Sequence, residues 1–303
     1  MNVLSLFDGM SCGQIALNRA GIKYDNYFAS EIDKHAINET MANFPNTIQL
    51  GDITKITATS LPKIDLLIGG SPCQGFSFAG KQLNFDDPRS KLFFEFVRIL
   101  KETNPTYFLL ENVKMKKEYE DVITYHLGVN PIIINSSLVS AQNRVRLYWT
   151  NIPNVKEPED KNIKLTDILE DVEMKHSAAI RGRRLYKATI IGRRLDERGK
   201  RQDFNKEIPT TQCLEVRATN PDKSNCLTTI QKDNVLTSLP YGRYVDAFKK
   251  DYPFRYFTIK ECCRLQTVSD DYFKVSSDTQ IRKMLGNGWT VDVIAHIFSY
   301  IKK

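Results

Sequence analysis

A short apolar run that stops at a pair of glycines constrains the fold of this chain more than any other stretch. Residues 66–68 are apolar, Gly69 and Gly70 follow, and a polar loop then presents Cys73 directly after Pro72. Such runs are typical of buried strands in parallel sheets, and sites in open α/β folds lie beyond the carboxyl ends of those strands. Cys73 therefore lies where a nucleophile is expected, although an isolated cysteine is more often a small buried hydrophobe.

Length and composition predict a globular protein with room for one large domain and a smaller one. The chain has 303 residues, of which 41% are hydrophobic and 26% charged. Apolar runs stay well short of the roughly 18 residues of a membrane span, and the amino terminus lacks the basic region of a signal peptide. We therefore expect a cytoplasmic protein without membrane contact. A net charge of +7 permits a polyanionic partner without requiring one.

The spacing of cysteines and histidines argues against a metal site. Six cysteines and four histidines are scattered along the sequence, and no two cysteines form a C-x-x-C pair. A chain of this length in a reducing compartment needs no disulfides. We expect neither metal nor disulfide.

The first 53 residues have the pattern of a nucleotide-binding unit. A strand over 2–7, a loop with Gly9 and Gly13, and a helix to about Arg19 form its opening, although G-x-G-x-x-G is absent and a plain strand-to-helix turn would look similar. Glu31 follows the next strand, where a carboxylate can bind ribose hydroxyls. Asp52 ends a third predicted strand and suits either an adenine amino group or an N-cap. Together these features predict a dinucleotide-like or S-adenosylmethionine pocket.

Two later strands bring further polar groups to the predicted sheet. Glu111 follows the apolar run 107–110, so it is expected near Cys73 at the end of a neighbouring parallel strand. Arg144 and Arg146 are two residues apart and are expected on one face of the last strand, where a solvated basic edge is the alternative. We predict an α/β, Rossmann-like fold with a mostly parallel sheet.

Changes in sequence texture predict three parts: a catalytic, cofactor-binding domain at 1–152, a smaller irregular recognition domain at 153–252, and a segment at 253–303 that packs back on the first. The middle part is rich in turns and basic residues. Its arginines, interleaved with tyrosine, threonine and asparagine, favour contact with a phosphate backbone over a merely solvated face. We expect that contact from Arg193, Arg194 and Arg198. Thr258 and Glu261 form a capping box that opens a helix in the last part.

Taken in order, these landmarks resemble the DNA (cytosine-5)-methyltransferase family. The resemblance runs from the first strand to the last helix, and each motif is short but their order is specific. Ser11 departs from it by replacing a customary glycine, and Gly288 stands where serine or alanine is usual. The motifs are Phe7-x-Gly9, Pro72-Cys73-Gln74, Glu111-Asn112-Val113, Gln142-x-Arg144-x-Arg146, Arg264-Leu265-Gln266 and Gly286-Asn287.

The resemblance implies a mechanism and a cofactor. Cys73 would be the nucleophile, Glu111 would share a proton with cytosine N3, and Arg146 would hold O2, while Arg144 would contact phosphate or support the loop. S-adenosylmethionine is the implied methyl donor and S-adenosylhomocysteine its product. Residues implied to bind the cofactor are Phe7, Asp8, Gly9, Met10, Gly13, Glu31, Ile32, Asp52, Ile53, Pro72, Leu92, Asn287, Gly288 and Trp289.

Double-stranded DNA is the implied partner. Gln74, Ser77 and Gln142 are implied to contact it in addition to the arginines named above. We expect a monomer on DNA, in a prokaryotic or phage-infected cell. A tRNA cytosine-5 methyltransferase is the first alternative, but that subgroup carries Cys-Phe-Thr where this chain has Tyr256-Phe257-Thr258. A catalytically silent DNA-binding homologue is the second, and the presence of both Cys73 and Glu111 speaks against it. An NAD-dependent dehydrogenase is disfavoured by the absent G-x-G-x-x-G and would leave Cys73 and the pair Arg144 and Arg146 unexplained.

Overall fold

A seven-stranded sheet and a separate five-stranded sheet organise the computed structural model, which describes residues 1–72, 88–171, 185–216, 222–238, 244–247 and 254–302. The larger sheet has the strand order β3-β2-β1-β4-β5-β7-β6. Its strands are β1 (Asn2–Leu6), β2 (Asn26–Ser30), β3 (Ile48–Gln49), β4 (Leu66–Gly69), β5 (Tyr107–Val113), β6 (Ile132–Asn135) and β7 (Val145–Thr150).

The larger sheet is parallel from β3 to β5 and antiparallel at its other edge. β1 pairs in parallel with β2 and β4, and β4 pairs in parallel with β5. β7 lies between β5 and β6 and runs antiparallel to both. The predicted Rossmann-like α/β fold with a mostly parallel sheet is therefore confirmed.

Helices cover both faces of this sheet, because alternate residues of its strands point to opposite sides. Val3, Leu66 and Ile68 belong to one buried cluster, and Leu4 and Leu67 belong to another. The helices are α1 (Cys12–Arg19), α2 (Lys34–Asn43), α3 (Pro88–Thr103), α4 (Lys117–Leu127), α5 (Leu165–Ile168), α6 (Ile259–Leu265), α7 (Asp278–Asn287) and α8 (Val291–Phe298). Residues of α1 and α8 join the first cluster, and residues of α3 and α4 join the second.

Two helix starts follow from local sequence. The Asp33 side chain accepts a hydrogen bond from the backbone N–H of His35 at the start of α2. Thr258 and Glu261 form the predicted capping box at the start of α6. Both caps satisfy backbone donors that a helix leaves unpaired at its amino end.

The smaller sheet is built from β8 (Tyr186–Arg193), β9 (Thr211–Val216), β10 (Val235–Thr237), β11 (Tyr244–Asp246) and β12 (Phe254–Tyr256). Its order is β11-β9-β8-β10-β12, and each recorded pairing is antiparallel. β12 lies entirely beyond residue 252, where sequence texture predicts the end of the recognition domain. The smaller sheet therefore includes a few residues of the last predicted part. Within the described ranges, the helices are all too short or too polar to cross a membrane.

Candidate functional site

The register of four parallel strands brings their carboxyl ends to one edge of the larger sheet. Leu6, the last residue of β1, lies opposite Ser30 of β2 and Gly69 of β4. Gly69 in turn lies opposite Leu110 of β5. The residues that follow these strand ends therefore gather at one edge, as the sequence predicts for Gly9, Glu31, Pro72 and Glu111.

Glu31 organises the glycine loop through backbone donors. Its Oε2 atom accepts from the Gly9 N–H at 2.8 Å, and its Oε1 atom accepts from the N–H groups of Ile32 at 2.7 Å and Asp33 at 2.8 Å. Ile32 beside it is 74% exposed. A carboxylate fixed by three amides and flanked by an exposed apolar side chain is suited to a nucleoside, whose ribose is polar and whose base is flat and apolar.

The loop after β1 has an unusual backbone. Phe7, Gly9 and Ser11 all adopt positive φ angles, of 58°, 57° and 61°. Side chains other than hydrogen are disfavoured in this left-handed region, and non-glycine residues held there are common at ligand sites. The Ser11 hydroxyl accepts from Gln14 Nε2 at 2.9 Å, which ties the strained residue to the first turn of α1.

Asp8 is a buried acid beneath this loop. The Tyr27 hydroxyl donates to Asp8 Oδ1 at 2.7 Å, while Oδ2 is buried without a hydrogen-bond partner among the described residues. Burial raises the pKa of Asp8 to about 6, although the hydroxyls of Ser5, Tyr27 and Ser11 act in the other direction. Met10 is 1% exposed. Asp8 and Met10 are thus buried residues of this loop, and Gly9 between them is more exposed.

Asp52, expected to meet an adenine, is the N-cap of a 3-10 turn over Ile53–Lys55. Its Oδ1 atom accepts from the Thr54 N–H at 3.0 Å and from the Thr54 hydroxyl at 2.9 Å. Ile53 is buried, and Leu92 on α3 packs on the same cluster. Strand β3 ends at Gln49, earlier than the sequence suggests. Asp52 therefore serves as an N-cap, which is the alternative role expected from the sequence.

The turn between α7 and α8 joins this edge of the sheet from the far end of the chain. The Cys12 thiol lies 3.9 Å from the carbonyl oxygen of Trp289, and a Cβ atom on Gly288 would lie 3.4 Å from Cys12 Sγ. Burial raises the pKa of the Cys12 thiol to about 12. Asn287 is exposed beside these residues. The turn is thus anchored at the start of α1, next to the glycine loop.

Glu111 is held at the end of β5 by two donors from different parts of the chain. Arg146 Nε lies 3.0 Å from Glu111 Oε1, and Trp289 Nε1 donates to Oε2 at 3.2 Å. Burial opposes the charge of Arg146, but the adjacent Glu111 carboxylate contributes to a pKa above its usual value. The buried Tyr148, opposite Glu111 on β7, has a raised pKa because of burial and the Glu111 charge. The carboxylate is therefore fixed in orientation and largely shielded from water.

Arg144 holds two loops together through their backbone carbonyls. Its guanidinium donates to the carbonyl of Leu227 at 2.8 Å, to that of Gly288 at 2.8 Å and to that of Gly286 at 3.3 Å. It also lies 3.3 Å from Cys226 Sγ. Arg144 is only 3% exposed. Arg144 therefore stabilises these loops from the protein interior, whereas Arg146 contacts Glu111.

Gln142 is likewise an interior residue. It is fully buried, and its Nε2 atom donates to Gln266 Oε1 at 2.8 Å while its Oε1 atom accepts from the Leu227 N–H at 3.1 Å. The sequence pattern predicts a DNA contact at this position. The placement instead makes Gln142 a link between the last helices and the chain that returns from the smaller sheet.

The chain leaving β4 is tied to β5 just before the predicted nucleophile. Asn112 Nδ2 donates to Ser71 Oγ at 3.2 Å, and Asn112 is 2% exposed. Pro72 is the last described residue of this connection. The predicted residues Cys73, Gln74 and Ser77 lie outside the described residues.

The three arginines expected to contact phosphate differ in their surroundings. Arg193 pairs with Glu215 at 2.7 Å and Asp203 at 3.4 Å. Arg194 donates to the carbonyls of Ile208 at 3.0 Å and Asp203 at 3.2 Å. Arg198 is exposed in the connection between β8 and β9. The first two therefore brace that connection, and the third is available to an outside partner.

The sequence analysis does not single out the segment 222–227, which lies between β9 and β10 and contacts the part of the chain that carries the larger sheet. The Lys223 ammonium donates to the carbonyls of Ser137 at 2.6 Å, Ile163 at 2.6 Å and Ser140 at 3.0 Å, and burial lowers its pKa. Cys226 lies 3.7 Å from Arg146 Nη2. An irregular segment has no periodic signal, so only its contacts reveal it.

Metal ligation finds no support in the described part of the chain. No group of three or more histidine, cysteine, aspartate or glutamate side chains there is arranged to hold an ion.

Sequence comparison identifies the relatives of this chain. The family model for C-5 cytosine-specific DNA methylase matches residues 1–303. The Type II methyltransferase M1.ScrFI of Lactococcus lactis subsp. cremoris is 32% identical over 319 aligned residues, covering 96% of this chain and 75% of the relative. The orphan methyltransferase M.SPRI of Bacillus phage SPR is 37% identical over 189 residues, covering 56% of this chain and 42% of the relative.

Solved structures share the fold at low sequence identity. Spodoptera frugiperda DNMT2, determined as a mutant, has a TM-score of 0.67 and 20% identity, with 99% of this chain and 98% of that chain covered. The Entamoeba histolytica methyltransferase EhMeth has a TM-score of 0.69 and 18% identity, with 100% and 99% covered. At these identities the likeness concerns the fold alone.

Proposed function

Because this chain belongs to the C-5 cytosine-specific DNA methylase family, we propose that it flips a cytosine out of duplex DNA and methylates its C5 atom. One observation carries the proposal. Arg146 and Trp289 hold the Glu111 carboxylate at the end of β5, next to the end of β4, from which the sequence continues to Cys73. Addition to a pyrimidine ring requires a nucleophile and an acid, and here a fixed acid lies beside the strand that Cys73 follows in sequence.

The proposed chemistry begins with the Cys73 thiolate, because cytosine C5 is a poor nucleophile on its own. Cys73 Sγ forms a bond to C6, and the electron pair of the C5–C6 double bond gives C5 carbanion character. When bound, S-adenosylmethionine supplies an electrophilic methyl group on a sulfonium sulfur. Once the methyl group is on C5, with S-adenosylhomocysteine as the leaving group, loss of the C5 proton to water would return an electron pair to the ring and expel Cys73 as a thiolate.

Glu111 and Arg146 support this addition from the other side of the ring. Attack at C6 builds negative charge towards N3, and Glu111 shares a proton with that atom. Arg146, whose guanidinium already touches Glu111, has further N–H groups that suit the cytosine O2 atom. Arg144 is too deeply buried for phosphate, so we assign it to loop support.

The glycine-loop edge fits the adenosine and methionine parts of the cofactor. Glu31, pinned by the Gly9, Ile32 and Asp33 amides, keeps a lone-pair site on Oε2 for a ribose hydroxyl. The exposed Ile32 offers an apolar surface to the adenine. The remaining members of the proposed cofactor site are Phe7, Asp8, Met10, Gly13, Asp52, Ile53, Pro72, Leu92, Asn287, Gly288 and Trp289.

Duplex DNA is the proposed partner, with the enzyme bound as a monomer. The target atom is hidden inside a stacked duplex, and flipping a base costs a few kcal/mol that contacts to the flipped base and backbone must offset. Arg198 is proposed as a phosphate contact because its side chain is exposed, and Gln74 and Ser77 are proposed as DNA contacts near Cys73 in sequence. Gln142, Arg193 and Arg194 are left out of this set because their polar groups are engaged inside the protein.

Bisulfite sequencing of DNA from bacterial cells that express this chain tests the proposal. We expect methylation at cytosines in one sequence context and none in cells that express Cys73→Ala. Purified protein with labelled S-adenosylmethionine should methylate duplex DNA in preference to tRNA. Preference for tRNA would replace the proposed substrate with the alternative one.

A trapping experiment tests the covalent step. A duplex with 5-fluorocytosine at the target should form a denaturation-resistant adduct with the wild-type chain, because fluorine at C5 blocks the final elimination. Cys73→Ala should form none, and Glu111→Gln should form it far more slowly. An adduct that persists in Cys73→Ala would refute the nucleophile assignment.

A further inference from the structure

The two oxygens of the Glu111 carboxylate have different donors. Oε1 faces Arg146 Nε at 3.0 Å, and Oε2 accepts from the Trp289 indole N–H at 3.2 Å. The Glu111 side chain is 12% exposed. Two donors from distant parts of the sequence thus determine the plane of one carboxyl group.

Gly70 provides the space for the indole–carboxylate contact. A Cβ atom at this position would lie 2.9 Å from Trp289 Nε1 and 3.2 Å from Glu111 Oε2. Gly70 is not among the residues with positive φ, so backbone conformation does not explain the glycine. The explanation is steric, because the hydrogen-bonded pair occupies the volume that a side chain would need.

The turn that carries Trp289 is itself firmly held. The Gly288 carbonyl accepts from Arg144 at 2.8 Å and from Gln266 Nε2 at 3.1 Å. Trp289 also packs against the core cluster shared by α1 and α8. The indole N–H is therefore a fixed donor and its direction is set by the protein core.

We infer that Trp289 is a positioning residue for Glu111, and that Gly70 is a glycine because it leaves room for this contact. The inference rests on the proposed function. It gives the indole a second role besides the proposed contact with the cofactor: its N–H fixes Oε2 while Arg146 fixes Oε1, so the carboxyl group meets cytosine N3 in one orientation. Correct orientation of a proton-sharing group lowers the entropy cost of reaching the transition state.

Trp289→Phe isolates the N–H group, because phenylalanine keeps an aromatic ring and lacks the donor. We expect kcat for DNA methylation to fall by about 10- to 100-fold, the value of a hydrogen bond to a charged group. KM for DNA and Kd for S-adenosylhomocysteine should stay within about twofold, since the ring remains. A kcat equal to that of the wild type would overturn the inference.

Trp149→Phe is the matched control. It removes the same kind of N–H group, which in Trp149 donates to Thr124 at 3.0 Å. This contact lies away from Glu111, so kcat at a temperature where the variant is folded should stay near the wild-type value. An equal loss of kcat in both variants would indicate a general structural effect and refute a positioning role.

Gly70→Ala tests the same contact by a different route. Its methyl group would displace the indole or the carboxylate, so its kcat should fall in the same way as that of Trp289→Phe. The double variant should be hardly slower than either single variant, because the contact is already lost. Multiplicative losses would show that the two residues act independently.

A readout without turnover separates this inference from the proposed function. The chain has two tryptophans, so an amide NMR spectrum contains two indole N–H signals, and Trp149→Phe assigns them. Glu111→Gln and Gly70→Ala should each shift the Trp289 signal. An unmoved signal would overturn the inference even in an active enzyme. If both variants shift this signal but the wild-type protein methylates no cytosine, only the proposed function is refuted.

Discussion

Arg146 Nε lies 3.0 Å from Glu111 Oε1, and this contact joins neighbouring antiparallel strands. Glu111 is on β5 and Arg146 is on β7, where the two side chains are 12% and 13% exposed. β7 lies between β5 and β6, so it brings its arginine to an edge otherwise formed by the ends of parallel strands. The reversed strand therefore supplies the cation of the proposed active site.

Arg146→Lys should reduce turnover while leaving the fold intact. Lysine keeps the charge but lacks the rigid set of donors that can contact Glu111 and a base together. We expect single-turnover methyl transfer to slow by about tenfold or more in Arg146→Lys and further in Arg146→Ala. Rapid-quench measurement at saturating DNA checks this. Rates within twofold of the wild type would remove Arg146 from the mechanism.

Arg144→Met should act mainly on stability, unlike the change at Arg146. The substitution removes the guanidinium donor from the carbonyls of Leu227, Gly286 and Gly288, of which Gly288 keeps Gln266 Nε2. We expect the free energy of unfolding to fall by about 3 kcal/mol in a urea titration. Lys117→Met on the exposed face of α4 is the reference and should change it by less than about 0.5 kcal/mol. Equal values for the two variants would contradict the clamp.

Asp8→Asn should stabilise the protein above about pH 6 and have little effect near pH 4. Burial raises the pKa of Asp8 to about 6 from its ordinary value of 3.8. A group whose folded pKa is raised favours folding fully below its unfolded pKa, and that contribution is lost as the pH rises through the folded pKa. At neutral pH the buried carboxylate costs about 3 kcal/mol, which asparagine avoids. Thermal unfolding of both proteins between pH 4.5 and 8 (about two units on either side of the titration) checks this. A Tm difference that is constant with pH would refute the assignment.

Ser11→Gly should be more stable than Ser11→Ala. Both lose the hydrogen bond from Gln14 to the Ser11 hydroxyl, but only glycine adopts the observed φ of 61° without strain. We expect a difference of about 1 kcal/mol in the free energy of unfolding. Denaturant titration measures it. If alanine matched glycine, the left-handed conformation at this residue would not be a source of strain.

Arg198→Gln should weaken DNA binding in a salt-dependent way, whereas Arg193→Gln should weaken the fold of the smaller sheet. Removal of one phosphate contact lowers the slope of log K against log salt concentration by about 1. Arg193 instead pairs with Glu215 and Asp203 inside the protein. Binding isotherms at several salt concentrations and thermal unfolding distinguish the two effects. A lower salt slope in Arg193→Gln would return that residue to the DNA-contact set.

Local sequence determined much of the scaffold. Continuous apolar runs predicted β1, β4 and β5, and glycines and acids at their ends marked the sheet edge. The side chains of Asp33 and Thr258 cap helices as their sequence context predicts. These features depend on neighbours within a few residues, so a single sequence suffices to find them. The ordered motifs also indicated the family, which the family model confirms.

Only the tertiary structure assigned the partners. Arg144 and Arg146 are two residues apart and were predicted on one face of the last strand, yet one clamps Gly288 and the other contacts Glu111. Gln142 looked like a DNA contact and is fully buried. Trp289 meets Glu111 across 178 positions of the chain. Spacing along a strand or helix predicts the face on which a side chain lies, but which groups meet there depends on how distant segments pack, and that packing has no local signal.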